Sequence, residues 1–156
     1  GNLDQLADMV ESIRSHVSSI RVSSVLNKDA KQFGKQNLID ASEETCWNSE
    51  NGLPQWISLE FSCNVVIEAI SLQFQGGFVG QDCQLFLASS RNDLTSASSL
   101  AMTFDPQDCN RKQTFALPSQ HSGVRYMRLI FRKSTDFFGR VTIYDLDILG
   151  SRERDS

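Results

Sequence analysis

Residues that could carry out catalysis are few in this sequence. There are two histidines, His16 and His121, and neither stands in a recognisable relation to a nucleophile. Glu43 and Glu44 are adjacent in the chain, which suits a solvated turn better than an acid–base couple. The sequence contains no Gly-x-Ser-x-Gly, no His-Glu-x-x-His and no dinucleotide-binding glycine pattern. It therefore predicts a protein that is not an enzyme.

Four cysteines are the other residues that could react or bind metal. No two of them form a Cys-x-x-Cys pair, so the sequence lacks the paired ligands of a zinc site. We expect reduced thiols; because the number is even, two disulfides in an oxidising compartment are the alternative. The four are Cys46, Cys63, Cys83 and Cys109.

Two glycine-containing segments carry phenylalanines that could contact a partner. Residues 75–80 read Gln-Gly-Gly-Phe-Val-Gly, and residues 135–140 read Thr-Asp-Phe-Phe-Gly-Arg. Glycine permits a positive φ, so a neighbouring Phe can stand at a loop tip or fold back over the core. In the second arrangement, one of Phe137 and Phe138 fills the core while Arg140 pairs with Asp136.

The composition limits the class of partner. The 156 residues include 15 basic and 19 acidic side chains, giving a net charge of −4. This balance argues against a surface that gathers nucleic-acid phosphates or anionic lipids. No apolar run nears the roughly 18 residues of a membrane helix, and the N-terminus lacks a secretory pattern. We expect a soluble intracellular protein of one domain, with neither nucleic acid nor a membrane as partner.

Short apolar runs with a period of two cover most of the chain. In residues 56–61, for example, Ile57, Leu59 and Phe61 share one face of an extended strand. Turn-forming residues separate the runs, and no βαβ rhythm occurs. The pattern predicts seven or eight strands of an all-β sandwich. The runs are residues 56–61, 65–74, 84–89, 101–104, 113–117, 126–131 and 140–149.

The N-terminal segment has a different period. Its apolar residues recur at steps of three and four, which predicts an amphipathic helix over residues 1–20. This helix docks on its own domain or, alternatively, pairs two chains into a homodimer. A single domain then spans residues 21–150, and residues 151–156 form a charged tail. The apolar positions are Leu3, Leu6, Val10, Ile13, Val17 and Ile20.

The last strand contains an irregularity. Its apolar residues lie at odd positions up to Ile143 and at even positions from Leu146 onward. One extra residue shifts side chains to the opposite face, so the sequence predicts a β-bulge near Tyr144 and Asp145.

Several strings resemble the discoidin-like, or coagulation factor 5/8 type C, domain. Residues 37–49 and 55–61 resemble its opening, and residues 125–130 and 146–150 resemble its last two core strands. The resemblance implies an eight-stranded antiparallel jelly-roll β-sandwich, similar to galactose-binding domains. It also implies that Trp47 and Trp56 both lie in the core and that the loops at one end bind ligands.

Longer strings resemble a small family within this superfamily, whose members associate with a testicular orphan nuclear receptor. They include residues 21–27, 43–49, 73–78 and 135–141. This resemblance implies a corepressor in nucleus and cytoplasm that contacts the receptor directly and hinders its dimerisation. The candidate partner-binding loop residues are Phe78, Asp136, Phe137 and Arg140.

A carbohydrate-binding or calcium-stabilised adaptor of an intracellular complex is the alternative function. Few polar groups stand in the candidate loops, which disfavours a glycan or small-molecule ligand. In related sugar-binding jelly rolls, a structural calcium ion lies beneath the turn before the first Trp. The resemblance implies such a site at Asp40, Thr45 and Asp145, since calcium takes oxygen ligands. Otherwise Asp40 caps its own turn and Thr45 bonds the backbone, without an ion.

Overall fold

Two long, bent strands organise the protein. In the computed structural model, which describes residues 10–154, eight strands form one continuous antiparallel system. The long strands are the fourth and the seventh, and both pass from one layer of a sandwich to the other. The strands are β1 (Glu11–Ser12), β2 (Val17–Val22), β3 (Trp47–Asn48), β4 (Gln55–Phe74), β5 (Gly80–Ala88), β6 (Leu100–Phe104), β7 (Lys112–Ser134) and β8 (Thr142–Arg152).

Each half of β4 and β7 has different neighbours. The first half of β4 pairs with β2 and with the second half of β7, which continues to β5 and β6. The second half of β4 pairs with the first half of β7 and with β8, which also carries β1 and β3. The first group is called the front layer below, and the second group is called the back layer.

Helical structure in the described residues is confined to short connections. One α-helical turn, α1 (Ala30–Phe33), is capped by the side chain of Asp29. The remainder are 3₁₀ turns at Arg14–His16, Leu26–Lys28, Lys35–Leu38, Arg91–Thr95 and Ala97–Ser99.

The core lies between the two layers. Ile57, Leu59 and Phe61 are all buried, which confirms the predicted alternation on β4. Phe74 of the back layer meets Phe131 of the front layer edge to face, with ring centroids 5.9 Å apart. Aromatic pairs in this geometry add to the hydrophobic stabilisation of the core.

The predicted N-terminal helix is wrong for residues 11–20. Ser12 pairs with Leu149 of β8, and Ile20 pairs with Leu59 of β4. The register on β2 shifts between Val17 and Ser19, so one residue is inserted there. Because of this bulge, the apolar residues Val17 and Ile20 are three positions apart instead of two. The 3₁₀ turn at Arg14–His16 separates Ile13 from Val17 by four positions. The helix expected over residues 1–9 lies outside the described residues.

The bulge predicted in the last strand is confirmed. Gln73 pairs with Asp145 and the next residue, Phe74, pairs with Ile143, so Tyr144 is the inserted residue. By contrast, the turn-forming residues Pro118, Ser122 and Gly123, which separate the predicted runs 113–117 and 126–131, do not end a strand. They lie within β7, where the pairing to β4 shifts register and the strand bends between layers.

The four cysteines are free thiols, as expected from their spacing. None of the helices in residues 10–154 is long and apolar enough to span a membrane.

Candidate functional site

One end of the sandwich carries an apolar loop patch, formed by Leu53, Phe137 and Phe138. Phe137 is 94% exposed, Phe138 is 59% exposed and Leu53 is 44% exposed. The two phenylalanine rings meet edge to face with centroids 5.3 Å apart. Neither ring enters the core, so the alternative in which one of them fills the core is wrong, although its pair of Arg140 and Asp136 is present. Exposed aromatic clusters are typical of binding surfaces.

A tight turn holds the two phenylalanines outward. The amide of Gly139 donates to the carbonyl of Asp136 at 3.0 Å, which places Phe137 and Phe138 at the two central positions. Gly139 has φ of +83°, a conformation that favours glycine. The turn is therefore pre-ordered, which lowers the entropic cost of binding through its tip.

Leu53 joins the patch through a backbone contact between two loops. The amide of Gly52 donates to the carbonyl of Phe138 at 2.8 Å. A Cβ added at Gly139 would lie 3.0 Å from the side chain of Leu53, so the loops are closely packed. Sequence reasoning missed Leu53, because no local pattern shows that the loop before β4 meets the loop after β7.

Asp136 and Arg140 form the polar base of the same loop. The carboxylate of Asp136 accepts from the backbone amide of Arg140 at 3.0 Å and from its Nε at 3.4 Å. The Arg140 guanidinium lies over the ring of Phe78, 5.2 Å from its centroid. The structure thus brings Phe78, Asp136, Phe137 and Arg140 to one end of the sandwich, with Phe78 half-buried beneath Arg140.

The loop of Phe78 is fixed by two side chains that lie before β7. Asp108 accepts from the amide of Gly77 at 2.8 Å, and Asn110 accepts from that of Gly76 at 2.7 Å. These contacts fix the glycine pair, which accordingly serves as a turn rather than as a flexible arm.

The candidate calcium residues form two separate hydrogen-bonded groups. The side chain of Asp40 accepts from the hydroxyl of Thr45 at 2.5 Å and from the amide of Ser42 at 3.0 Å. Asp40 is exposed, and Ala41 beside it has φ of +59°. This is the arrangement of a turn capped by its own aspartate, the ion-free alternative.

Asp145 already faces cations of the protein. Its Oδ1 accepts from Nη1 of Arg14 at 2.8 Å, and the ammonium of Lys112 lies 4.0 Å from Oδ2. These groups line a cleft of about 220 Å³ together with residues 41–43. Among the described residues, no group of three or more His, Cys, Asp or Glu could hold a metal ion. Asp145 thus already has side-chain cations as partners, and Asp40 already accepts from Thr45.

The two tryptophans differ in environment. Trp47 is fully buried and donates from Nε1 to the carbonyl of Ser24 at 2.9 Å, which confirms its predicted place in the core. Trp56 is only half-buried, and the guanidinium of Arg128 lies 5.0 Å from its ring centroid. The expectation that Trp56 lies in the core is wrong, since it points to the outer face of the front layer.

Neither Cys83 nor His121 belongs to the loop patch of Leu53, Phe137 and Phe138. Cys83 is buried on β5, and burial raises the pKa of its thiol, so it stays protonated at neutral pH. His121 contacts the carbonyl of Ser119 at 3.0 Å within β7. Nothing in this arrangement resembles a nucleophile aligned with a base.

Comparison with known proteins places the chain among named relatives. It is 49% identical over 142 residues to the nuclear receptor 2C2-associated protein of Xenopus laevis, covering 91% of this chain and 100% of the relative. The chain belongs to this family. The human protein of the same name is 44% identical over 133 residues, covering 85% of this chain and 91% of the relative. The Danio rerio protein is 45% identical over 145 residues. No family model matches the chain.

Solved structures show that the chain has the discoidin-like jelly-roll fold. An F5/8 type C domain from Bacteroides fragilis superposes with a TM-score of 0.75 at 13% identity, covering 93% of this chain and 99% of that one. A family 32 carbohydrate-binding module from Clostridium perfringens NanJ, solved with galactose, superposes with a TM-score of 0.71 at 15% identity, covering 90% and 98%. At these identities the likeness establishes the fold of the chain and not its ligand.

Proposed function

We propose that this protein is a non-enzymatic module that binds a nuclear receptor directly and represses receptor-driven transcription by hindering receptor dimerisation. The relatives are named for association with nuclear receptor 2C2, and they match 85–91% of the chain in Xenopus and human. The proposed sites of action are the nucleus and the cytoplasm.

The observation that carries the proposal is the loop patch of Leu53, Phe137 and Phe138. Its apolar tip stands beside the charged pair of Asp136 and Arg140, and an apolar centre with a polar rim is typical of a protein interface. Because hydrogen bonds hold the turn in place, its aromatic side chains lose little freedom on binding.

The same features disfavour the alternative of a glycan-binding adaptor. Sugar sites combine an exposed aromatic ring with several converging polar groups. In this loop the polar groups of Asp136 and Arg140 are bonded to each other, and Arg140 covers the ring of Phe78.

Titration calorimetry of the purified full chain against the separate DNA-binding and ligand-binding domains of the receptor tests the proposal. Binding to one domain, with loss of the receptor dimer in light scattering, is expected. Phe137→Ser should weaken binding about tenfold, since interface aromatics contribute most of the affinity. Leu100→Ser is the matched control, because Leu100 is also exposed at 39% but lies on β6.

Three results would contradict the proposal. They are the absence of binding to either domain at tens of micromolar, equal losses in the Phe137 and Leu100 variants, and binding that leaves the receptor dimer intact. Binding to a glycan array with loss in the Phe137 variant would favour the adaptor function instead.

A further inference from the structure

The outer face of the front layer carries a row of residues from four neighbouring strands. The strand register aligns Arg21 of β2 with Ser58 of β4, Ser58 with Arg128 of β7, and Arg128 with Phe86 of β5. Adjacent strands lie about 4.8 Å apart, so the Cα atoms of Arg21 and Arg128 are separated by about 10 Å across Ser58. Two arginines thus point out of the same sheet face.

Neither arginine of this row forms an ion pair within the part of the chain that the structure describes. Arg21 is exposed, whereas the guanidinium of Arg128 lies over the Trp56 ring, 5.0 Å from its centroid. The Nε of Arg128 is buried and has no hydrogen-bond acceptor among residues 10–154. Burial and the nearby charge of Arg21 lower the pKa of Arg128, in keeping with a cation that has no paired carboxylate among the described residues.

The carboxylate nearest to this row along β4 is already paired with other side chains. Glu60 is the acid closest to the two arginines along β4, but it pairs with Arg91 at 3.2 Å and accepts from the Tyr126 hydroxyl at 3.4 Å. Arg91 in turn lies 5.7 Å from the Tyr126 ring centroid. A cleft of about 90 Å³ opens between these groups and Arg21. The face therefore keeps two uncompensated positive charges on a chain whose net charge is −4.

We propose that this face is a second interaction surface, which binds an acidic, extended segment of a protein partner. Carboxylates of such a segment can accept charge-assisted hydrogen bonds from the exposed Arg21 and from the terminal nitrogens of Arg128. The ring edges of Trp56 and Phe86 give apolar contact to the aliphatic carbons of the peptide's acidic side chains. The surface shares no residue with the loop patch of Leu53, Phe137 and Phe138, so separate variants test the two.

The geometry favours a peptide over single-stranded nucleic acid. Bases bind such surfaces by stacking on open aromatic faces. Here Arg128 covers the face of Trp56, and Arg91 covers that of Tyr126. Carboxylates need only the terminal guanidinium nitrogens, and of the Arg128 side chain only Nε is buried without a partner among the described residues.

Fluorescence anisotropy of the full chain with a labelled octapeptide of alternating Glu and Ser tests the inference. Arg21→Gln should weaken binding roughly threefold to fivefold, and Arg128→Gln about tenfold. The matched control is Arg132→Gln on the same strand as Arg128. The guanidinium of Arg132 is already paired with Asp82 at 2.7 Å, so no loss is expected. Phe137→Ser should also leave peptide affinity unchanged.

Arg21 is exposed, so its variant keeps the test valid if Arg128→Gln lowers the stability of the fold. Affinity should also fall as salt rises, because the contacts are ionic. The inference is overturned if a peptide of alternating Gln and Ser binds equally well, or if Arg132→Gln loses as much affinity as Arg21→Gln. Tighter binding of a single-stranded RNA dodecamer than of the acidic peptide would overturn the inference and show that the face binds nucleic acid. Self-association that Arg21→Gln abolishes would overturn it and show that the face binds a second copy of the chain.

Discussion

Arg14, in the turn after β1, forms an ion pair with Asp145 of β8 in the back layer. Nη1 of Arg14 donates to Oδ1 of Asp145 at 2.8 Å, although the residues are 131 positions apart. Nε of Arg14 also lies 3.9 Å from Asp147, which accepts from the Ser12 hydroxyl at 2.6 Å. A side-chain cation therefore stands beside the carboxylate that the calcium hypothesis required.

Removing this cation should destabilise the fold. Arg14→Met leaves Asp145 and Asp147 as neighbouring, partly buried carboxylates, and we expect a loss of about 1–2 kcal/mol in the free energy of unfolding. Lys112→Met is the control: Lys112 is half-exposed and 4.0 Å from Asp145, so its loss should be below about 0.5 kcal/mol. Urea titration measures both.

The melting temperature of the wild-type chain tests the calcium hypothesis. Because Arg14 and Lys112 already face Asp145, we expect the melting temperature of the wild-type chain to be the same in excess chelator and in millimolar calcium. A rise in melting temperature with calcium that Asp40→Asn abolishes would show that the turn binds the ion after all.

Asp136 should matter more for stability than the phenylalanines it supports. Asp136→Ala removes the acceptor of the Arg140 amide and Nε, and we expect a loss of about 1–2 kcal/mol in the free energy of unfolding. Phe137→Ser should change that free energy by less than about 0.5 kcal/mol, because the ring is almost fully exposed. The opposite order in thermal unfolding would show that the phenylalanine packs into the protein.

The two tryptophans should respond differently to quencher and to mutation. In Trp47→Phe, the remaining Trp56 should be readily quenched by acrylamide; in Trp56→Phe, the remaining Trp47 should be shielded. Trp47→Phe should also cost about 2–3 kcal/mol, since it opens a cavity and leaves the Ser24 carbonyl without its donor. Equal quenching of the two single-tryptophan variants would contradict the assigned environments.

Gly150 is required where β8 crosses the bend of β4. A Cβ at this position would overlap the carbonyl oxygen of Val66, so Gly150→Ala should cost about 2–4 kcal/mol. Gly123→Ala is the comparison, because a Cβ there meets open space and only the positive φ opposes it, at about 1–2 kcal/mol. A loss at Gly150 no larger than that at Gly123 would argue against the close contact of the two strands.

Cys83 should be unreactive in the folded protein and should make stability fall at alkaline pH. Burial raises the pKa of its thiol, so the folded state keeps a proton that the unfolded state releases above about pH 8.5. The free energy of unfolding therefore decreases as pH rises beyond that value, and Cys83→Ala should flatten this decrease. Mass spectrometry after iodoacetamide treatment should find Cys83 labelled only in denaturant. Rapid labelling in the native state would refute the buried position.

Much of the strand content follows from local pattern. Alternation in β4 predicts that Ile57, Leu59 and Phe61 face inward, and all three are buried. The change of apolar phase after Ile143 predicts the bulge at Tyr144, which the pairing of β4 with β8 confirms. These two features can be predicted from the sequence because the side chains of a strand alternate between its two faces.

The same reasoning failed where a bulge imitates a helix. The step of three between Val17 and Ile20 arises from an inserted residue on β2, not from a helical turn. Local spacing cannot separate the two cases, since only pairing with β4 shows which residue is extra.

By itself, therefore, the sequence determined that the chain is an all-β sandwich with an aromatic loop and an irregular last strand, because these depend on neighbours along the chain. Only the tertiary structure decided which groups meet. It placed Leu53 beside Phe138, Arg14 beside Asp145 and Arg128 over Trp56. Sheet register places Arg128 beside Trp56, whereas the other two contacts join loops and a turn that the packed strands bring together. Register in turn is set by the packing of the whole core.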